Sequence, residues 1–122
     1  MTVQEIADQL VHYCRTGQSD EAYPNLFSDD AVSIEMEGAQ GFPQRTEGIE
    51  AMQQKGKMWE EMVEEFHGME VEEPIVSGNH FSVGFKMDIT MKGQPRRVDE
   101  EIAIYRVENG KIVSEQFFYA LE

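Results

Sequence analysis

The spacing of apolar residues predicts helices in the first part of the chain. Residues 6–14 carry apolar side chains at helical intervals, behind a Thr-Val-Gln-Glu sequence at residues 2–5 that is typical of a helix N-terminal capping box. Gly17 is expected to end this helix. A second, shorter helix is predicted to begin at Ser19 and to run through residues 26–27.

The middle of the chain is predicted to contain one strand and one long helix. Residues 31–36 alternate between apolar and polar side chains, as in a strand, after a turn at residues 28–30 and before a loop at residues 37–45. A helix is predicted over residues 47–66. We expect one face of it to form the base of the core, so that Trp59→Ala would cost about 3–5 kcal/mol. The residues on this face are Ile49, Met52, Gly56, Trp59, Val63 and Phe66.

The last part of the chain is predicted to form a sheet. Its four alternating segments lie at residues 68–76, 80–91, 96–107 and 111–119. Short turn signals separate them, the strongest being Asn109-Gly110, and no connection is long enough for a crossover helix, so antiparallel strands are expected. They must curl around the long helix to cover its apolar side. We therefore predict one α+β domain over residues 1–122, with a cone-shaped, curved mixed or antiparallel sheet and a cavity open at one end.

Alternation along the strands predicts which side chains face that cavity. The odd-numbered apolar residues of the segment 81–91 should face the helix. In the two last strands the odd-numbered residues, among them Glu101 and Glu115, are expected to point inward. A register shifted by one residue would instead turn Glu100 and Gln116 inward. Both faces of these strands carry apolar residues, which favours a homodimer packed sheet to sheet, with coverage by the protein's own loops as the alternative.

Composition excludes several kinds of partner. The 122 residues include 24 acidic and 10 basic ones, and the formal net charge of −14 argues against binding to nucleic acid or to anionic membranes. No apolar run is long enough to span a bilayer, and residues 1–5 do not resemble the start of a signal peptide. The single cysteine, Cys14, fits a reducing compartment, so a cytoplasmic protein is expected. His12, His67 and His80 lack metal-ligand spacing, and neither a metal site nor a cofactor is predicted.

Three features of the sequence resemble a known superfamily. Residues 26–32 (LFSDDAV) and 104–113 (IYRVENGKIV), with Gly17 before the second helix, are similar to the nuclear transport factor 2-like superfamily and its SnoaL-like members, which include polyketide cyclases and ketosteroid isomerases. The resemblance covers nearly the whole chain and implies a cystatin-like α+β barrel. The resemblance identifies the fold but does not identify the activity, because the superfamily contains isomerases, cyclases, dehydratases, epoxide hydrolases and proteins that catalyse no reaction.

The resemblance to the ketosteroid isomerases covers only part of their catalytic site. The catalytic carboxylate of the isomerase corresponds to Glu35, and a glutamate there could serve as the base. The positions of its two oxyanion-hole donors are occupied by Leu10 and Ala103. Steroid isomerisation is therefore not expected.

A cluster of acids is predicted inside the cavity. It consists of Glu35, Glu101 and Glu115, with Tyr119 or Tyr13 as hydroxyl partner. Burial and like charge both raise the pKa of a carboxyl in an apolar funnel. One protonated and one ionised carboxyl is the arrangement that general acid–base catalysis uses.

A different environment for these acids is the alternative. Glu35 or Glu101 could lie in water at the rim or could pair with Arg97 or Arg45. The residues predicted to line the pocket are Tyr13, Phe27, Trp59, Met62, Phe85, Met87, Tyr105 and Phe117.

Two hypotheses of function follow. The first is a SnoaL-like enzyme of isomerase, cyclase or dehydratase type that performs cofactor-independent proton transfer on a small apolar molecule, with Glu35 as the base. Glu101, Glu115 or Tyr119 would stabilise charge or return the proton. The second is a non-catalytic small-ligand-binding or dimeric structural domain. A cavity closed by its own aromatic and methionine side chains would argue against the enzyme.

Overall fold

Helices pack on a curved sheet in the computed structural model, which describes residues 1–39 and 41–121. The order of the elements is the one that the hydrophobic pattern predicts, and the α+β fold class is confirmed. In chain order the elements are α1 (Val3–Arg15), α2 (Ser19–Leu26), β1 (Phe27–Ile34), β2 (Arg45–Glu47), α3 (Ile49–Met62), β3 (Val63–Val71), β4 (Ile75–Ser77), β5 (His80–Met91), β6 (Arg97–Glu108) and β7 (Lys111–Tyr119).

The first helix begins at the predicted capping box. The backbone N–H of Glu5 donates to the Thr2 hydroxyl at 3.1 Å, and the backbone N–H of Thr2 donates to the Glu5 carboxylate at 2.9 Å. These two bonds satisfy donors that a helix N-terminus otherwise leaves without partners. The inner face of α1 is fully buried; it consists of Ile6, Ala7, Leu10, Val11 and Cys14.

The sheet is mixed and does not close into a barrel. Its strand order is β2-β1-β7-β6-β5-β3, with β4 paired to β5. The pairs β5–β6 and β6–β7 are antiparallel, as predicted, whereas β1 runs parallel to β7. At the turn before β7, Asn109 and Gly110 have positive φ angles of 51° and 74°, as the Asn-Gly signal requires. The edge strands β2 and β3 are not paired with each other among the described residues, so one side of the cone stays open.

The prediction that the long helix extends to residue 66 was wrong. Helix α3 ends at Met62, and the next residue, Val63, already pairs with Met91 of β5. Residues 63 and 66 fit a helical step, but main-chain pairing with β5 decides the conformation, and Phe66 lies 51% exposed on β3. The strand predicted at residues 68–76 accordingly begins earlier and is divided into β3 and β4.

Two predictions around β1 also need correction. The strand begins at Phe27, so residues 28–30 belong to it rather than to a turn. The pairing of β1 with β7 is irregular between Phe27 and Val32, which leaves the acidic pair of residues 29 and 30 exposed. The predicted loop at residues 37–45 ends in a short strand, β2, that pairs antiparallel with β1. Glu35 therefore lies just after the end of β1.

The core lies between the first two helices and the concave face of the sheet. Phe81 and Val83 of β5 are buried there together with Ala103 and Tyr105 of β6, which confirms the predicted inward register. Helix α3 contributes only Met52 to the fully buried set, so the expectation that its whole apolar face forms the base of the core was wrong. Of the other helical residues of that face, Ile49 is partly buried against the core, and Gly56 and Trp59 border open space.

The register of β7 changes once along its length. Val107 pairs with Ile112, but Arg106 pairs with Ser114, so Val113 is an extra residue in the ladder. This irregularity allows Ile112 and Glu115 both to be buried, although they have opposite parity. No helix in the described ranges has the length and apolar character needed to cross a membrane.

Candidate functional site

A wide cavity lies between α3 and the concave face of the sheet. Its volume is about 1840 Å³, and it is open at one end. Most of the wall is apolar and rich in methionine, while a small polar group occupies the floor. The apolar lining includes Phe42, Met52, Trp59, Met62, Met69, Phe85, Met87, Met91 and Phe117, and the polar lining includes Ser33, Glu35, Lys55, Glu101, Glu115 and Tyr119.

Glu35 is the centre of the polar group. It is 7% exposed, and its backbone N–H donates to the carbonyl of Gln44 at 2.8 Å, which fixes the chain just after β1. The Tyr119 hydroxyl donates to one carboxylate oxygen at 2.5 Å, and the Lys55 ammonium donates to the other. A buried carboxylate needs such partners, because an unpaired charge in an apolar site is costly.

Lys55 reaches the floor of the cavity from helix α3. Besides Glu35, its ammonium group donates to the hydroxyl of Ser33 at 2.9 Å. Its nitrogen lies 5.9 Å from the ring centroid of Phe42 and 5.4 Å from that of Phe117. The side chains of Lys55 and Glu35 are only 14% and 8% exposed, so the ion pair is shielded from water.

Glu115 lies deeper in the cavity. It is the parallel-register partner of Ser33 across the β1–β7 pair and is 4% exposed. The Tyr23 hydroxyl donates to it at a long 3.5 Å. Burial raises the pKa of Glu115 to about 7; the charges of Glu35 and Glu101 act in the same direction, while Lys55 and Ser33 oppose the shift.

Glu101 also borders the cavity and is more exposed than Glu115. It pairs across the sheet with Phe85 on one side and Tyr119 on the other. Burial raises its pKa to about 7, and the negative charges of Glu35 and Asp99 add to the effect. Among residues 1–39 and 41–121, no side chain donates a hydrogen bond to its carboxyl. Burial and the neighbouring Glu35 carboxylate raise the pKa of Tyr119, so its hydroxyl remains a donor.

The family model of the SnoaL-like domain matches residues 1–119. The chain belongs to the SnoaL-like domain family. This match covers all the elements that build the cavity, and it agrees with the resemblance noted in the sequence. No curated protein matches the sequence significantly.

Solved structures with the same fold support the assignment. A protein from Mesorhizobium loti described as a SnoaL-like polyketide cyclase is 37% identical; the match covers 98% of this chain and all of the other, with a TM-score of 0.89. A Xanthomonas campestris protein of unknown function with a cystatin-like fold is 19% identical, with 98% and 92% covered and a TM-score of 0.82. A Catenulispora acidiphila protein with a ketosteroid isomerase-like fold, solved with trimethylamine, is 22% identical, with 98% and 88% covered and a TM-score of 0.74. At 19% and 22% identity the last two show the fold alone.

This SnoaL-like domain brings the predicted acids together. Glu35, Glu101, Glu115 and Tyr119 all border the cavity, and their catalytic roles stay predictions. Of the residues predicted to line the pocket, the structure places six along the cavity: Trp59, Met62, Phe85, Met87, Tyr105 and Phe117.

Two predicted lining residues lie elsewhere. Tyr13 is on the flank of α1 beside His12 and does not border the cavity, because the helical turn directs its neighbour Cys14 inward instead. Phe27 is 4% exposed in the core, where its ring packs against Tyr23 and Tyr105. Of the two hydroxyl partners predicted for the acids, Tyr119 donates to Glu35, whereas Tyr13 does not contact the cluster; the hydroxyl that donates to Glu115 is that of Tyr23.

The ion pairs also differ from those considered from the sequence. Arg45 pairs with Glu47, and Arg97 pairs with Asp99, both at the surface. The partner of Glu35 in this SnoaL-like domain is Lys55, which sequence reasoning missed. A signal was present, because Lys55 follows Met52 by three residues and shares its side of the helix. No group of three or more His, Cys, Asp or Glu side chains suited to a metal occurs in the described part of the chain.

Proposed function

We propose that this protein is a cofactor-independent acid–base enzyme of isomerase, cyclase or dehydratase type that moves protons on a small apolar molecule. The observation that carries the proposal is the pair Glu101 and Glu115, two carboxyls of one apolar cavity whose pKa values both lie at about 7. Groups with a pKa near the working pH transfer protons most effectively. The cavity is open, as a substrate requires, rather than filled by its own side chains.

Glu101 is the best placed base in this proposal. It borders the cavity, is more exposed than Glu35 or Glu115, and accepts no hydrogen bond among the described residues, whereas Glu35 already accepts bonds from Lys55 and Tyr119. The ionised Glu101 carboxylate takes a proton from a substrate carbon, and the electron pair of the broken C–H bond stays on the substrate. Glu101 then returns this proton to another substrate atom; alternatively, Glu115 donates its own proton there, after which Glu101 releases its proton to water and Glu115 takes one up from water. Glu35 holds the charged floor of the site in place.

The Mesorhizobium loti relative favours one of the three reaction types. It is described as a polyketide cyclase and is 37% identical over nearly the whole chain. Cyclisation needs a proton removed from carbon and a proton supplied to oxygen, which a pair of near-neutral carboxyls can perform without a metal or cofactor.

Exchange of substrate hydrogen for deuterium tests the proposal without knowledge of the product. The protein is incubated in D₂O with a panel of small C–H acids, such as cyclic ketones and 1,3-diketones, and deuterium uptake is followed by NMR. We expect uptake above the buffer rate for at least one compound, and a loss of about 100-fold in Glu101→Gln. Glu108→Gln is the matched control, since Glu108 is on the same strand and lies exposed at the surface.

Two outcomes would contradict the proposal of an acid–base enzyme with Glu101 as its base. One is uptake that is the same in Glu101→Gln as in the wild-type protein. The other is tight binding of panel members with no uptake by the wild-type protein, which would indicate the non-catalytic binding domain considered from the sequence.

We propose further that the protein is a cytoplasmic homodimer packed sheet to sheet. Three apolar side chains are exposed together on the outer face of the last strands: Ile102, Ile104 and Phe118. Ile102 and Phe118 are cross-strand partners, so the patch is continuous. A second copy of the same surface would cover it. The single buried thiol, Cys14, supports a reducing compartment.

A further inference from the structure

We infer that Lys55 recognises the substrate and that the substrate is a neutral carbonyl compound whose oxygen accepts a hydrogen bond from the Lys55 ammonium. The inference rests on the proposed function, because it names the chemical class on which the acid–base site acts.

Lys55 has donor capacity left over. An ammonium group carries three N–H bonds. Two of them go to the Ser33 hydroxyl and to the Glu35 carboxylate. The described residues supply no third acceptor, and Lys55 borders the cavity. One N–H is therefore available to an oxygen atom of a ligand.

Four other donors along the cavity already have protein acceptors; the Trp59 indole and the Tyr105 hydroxyl make no hydrogen bond among the described residues, but both are neutral. The Tyr119 hydroxyl donates to Glu35, and the Tyr23 hydroxyl donates to Glu115. Arg15 bonds the carbonyl of Val71, and Arg97 pairs with Asp99 at the rim. Among the described residues, Lys55 is thus the cation at the floor that can receive a ligand oxygen.

The charge around Lys55 favours a neutral ligand over an anion. Glu35 already balances the ammonium charge, and Glu101 and Glu115 lie in the same cavity. A carboxylate ligand would add a further negative charge to this group and would be repelled. A ketone oxygen carries only a partial charge, and it gains a charge-assisted hydrogen bond without that repulsion.

The rings near Lys55 suit a flat molecule. The centroids of Phe42 and Phe117 lie 5.9 and 5.4 Å from the lysine nitrogen. A planar ligand that places its oxygen at the nitrogen can contact these rings, since aromatic groups pack favourably in offset or edge-to-face arrangements. When Glu101 removes a proton next to the carbonyl, negative charge develops on the oxygen that Lys55 holds.

Binding of three compounds of one shape tests the inference. The probes are 2-acetylnaphthalene, 2-ethylnaphthalene and 2-naphthoate, measured by equilibrium dialysis at neutral pH. We expect the ketone to bind the wild-type protein about tenfold tighter than the hydrocarbon, as a hydrogen bond from a charged donor predicts. The carboxylate should bind no tighter than the hydrocarbon.

Substitution of Lys55 should remove the preference for the ketone. In Lys55→Met the ketone and the hydrocarbon should bind equally. Lys57→Met is the matched control, because Lys57 is exposed two residues further along the same helix, and it should keep the full preference. If Lys55→Met does not fold, the double variant Glu35→Gln/Lys55→Met removes both charges of the pair and gives the same comparison.

The results separate this inference from the proposed function. The inference is overturned if the wild-type protein binds the ketone no tighter than the hydrocarbon, or if it prefers the carboxylate. It is also overturned if the folded Lys55 variants keep the preference for the ketone. Binding is measured without turnover, so a protein with the expected ketone preference but no deuterium exchange refutes only the acid–base enzyme. Glu101→Gln should lose exchange and keep the ketone preference.

Discussion

The Lys55 ammonium and the Glu35 carboxylate form an ion pair at the floor of the cavity, with both side chains shielded from water. Removing one member of such a pair is costly, because the other charge is left buried without a partner, and the loss is about 3–5 kcal/mol. We therefore expect Lys55→Met to lower the free energy of unfolding by that amount in urea denaturation at pH 7.5.

A second variant shows whether the unpaired charge is the cause. In Glu35→Gln/Lys55→Met neither charge remains, and the amide can still accept from Tyr119, so most of the lost stability should return. Lys57→Met should stay within about 0.5 kcal/mol of the wild-type protein, as surface substitutions do. A Lys55→Met protein as stable as the wild type would mean that the pair is solvated rather than buried.

The raised pKa of Glu115 predicts that stability falls as the pH rises. Its folded-state pKa is about 7 against an ordinary 4.5, so the folded protein holds this proton more tightly than the unfolded chain. The contribution is fully present below about pH 4.5 and is lost as the pH rises through 7, with a total of about 3 kcal/mol. About 2 kcal/mol of this total is lost between pH 5.5 and pH 8, and urea denaturation at these two pH values measures it.

Glu115→Gln isolates this group from the other acids of the chain. The amide has no proton to lose, so the variant should be more stable than the wild type at pH 8, and the loss of stability between pH 5.5 and pH 8 should be smaller by about 2 kcal/mol. Glu108→Gln, at the surface, should keep the wild-type slope. An unchanged slope in Glu115→Gln would show that its carboxyl ionises as freely in the folded protein as in water.

Helix α3 should contribute less to stability through Trp59 than through Met52. Met52 is 1% exposed, and its replacement by alanine should cost about 2–5 kcal/mol. Trp59 is partly exposed at the cavity wall, so Trp59→Ala should cost less than Met52→Ala and should mainly weaken ligand binding. Thermal unfolding of the two variants, followed by circular dichroism, gives the order. A larger loss for Trp59→Ala would support its original assignment to the core.

The difference between these residues illustrates which features the sequence could predict. The bounds of β5 and β7 agree with the predicted segments 80–91 and 111–119, because strict alternation between clear turns has one interpretation. The pattern at the end of α3 had two interpretations, since residues 63 and 66 fit both a helical step and a strand. Only the pairing of these residues with β5 shows that the strand is correct.

The candidate site was predictable only in part for a similar reason. Parity along β6 and β7 placed Glu101 and Glu115 inward, because side chains alternate along a strand. The ion pair of Glu35 with Lys55 depends on how α3 crosses the end of β1, which is set by tertiary packing and not by local spacing. The extra residue Val113 in β7 likewise leaves no mark in the hydrophobic pattern.

The outer apolar patch predicts the oligomeric state. Ile102 is 53% exposed at the centre of this patch, next to Phe118 across the ladder. If a second copy covers the patch, Ile102→Asp would place a charge in a buried apolar interface. Burying a charge that has no oppositely charged partner costs several kcal/mol, so the protein should become monomeric. Light scattering coupled to size-exclusion chromatography measures the mass directly. Met58→Asp is the matched control, because Met58 is 49% exposed on α3, on the other side of the sheet from the patch, and it should leave the dimer intact. A wild-type protein that elutes as a monomer at high concentration, or an Ile102→Asp protein that remains dimeric, would rule out sheet-to-sheet packing through this face.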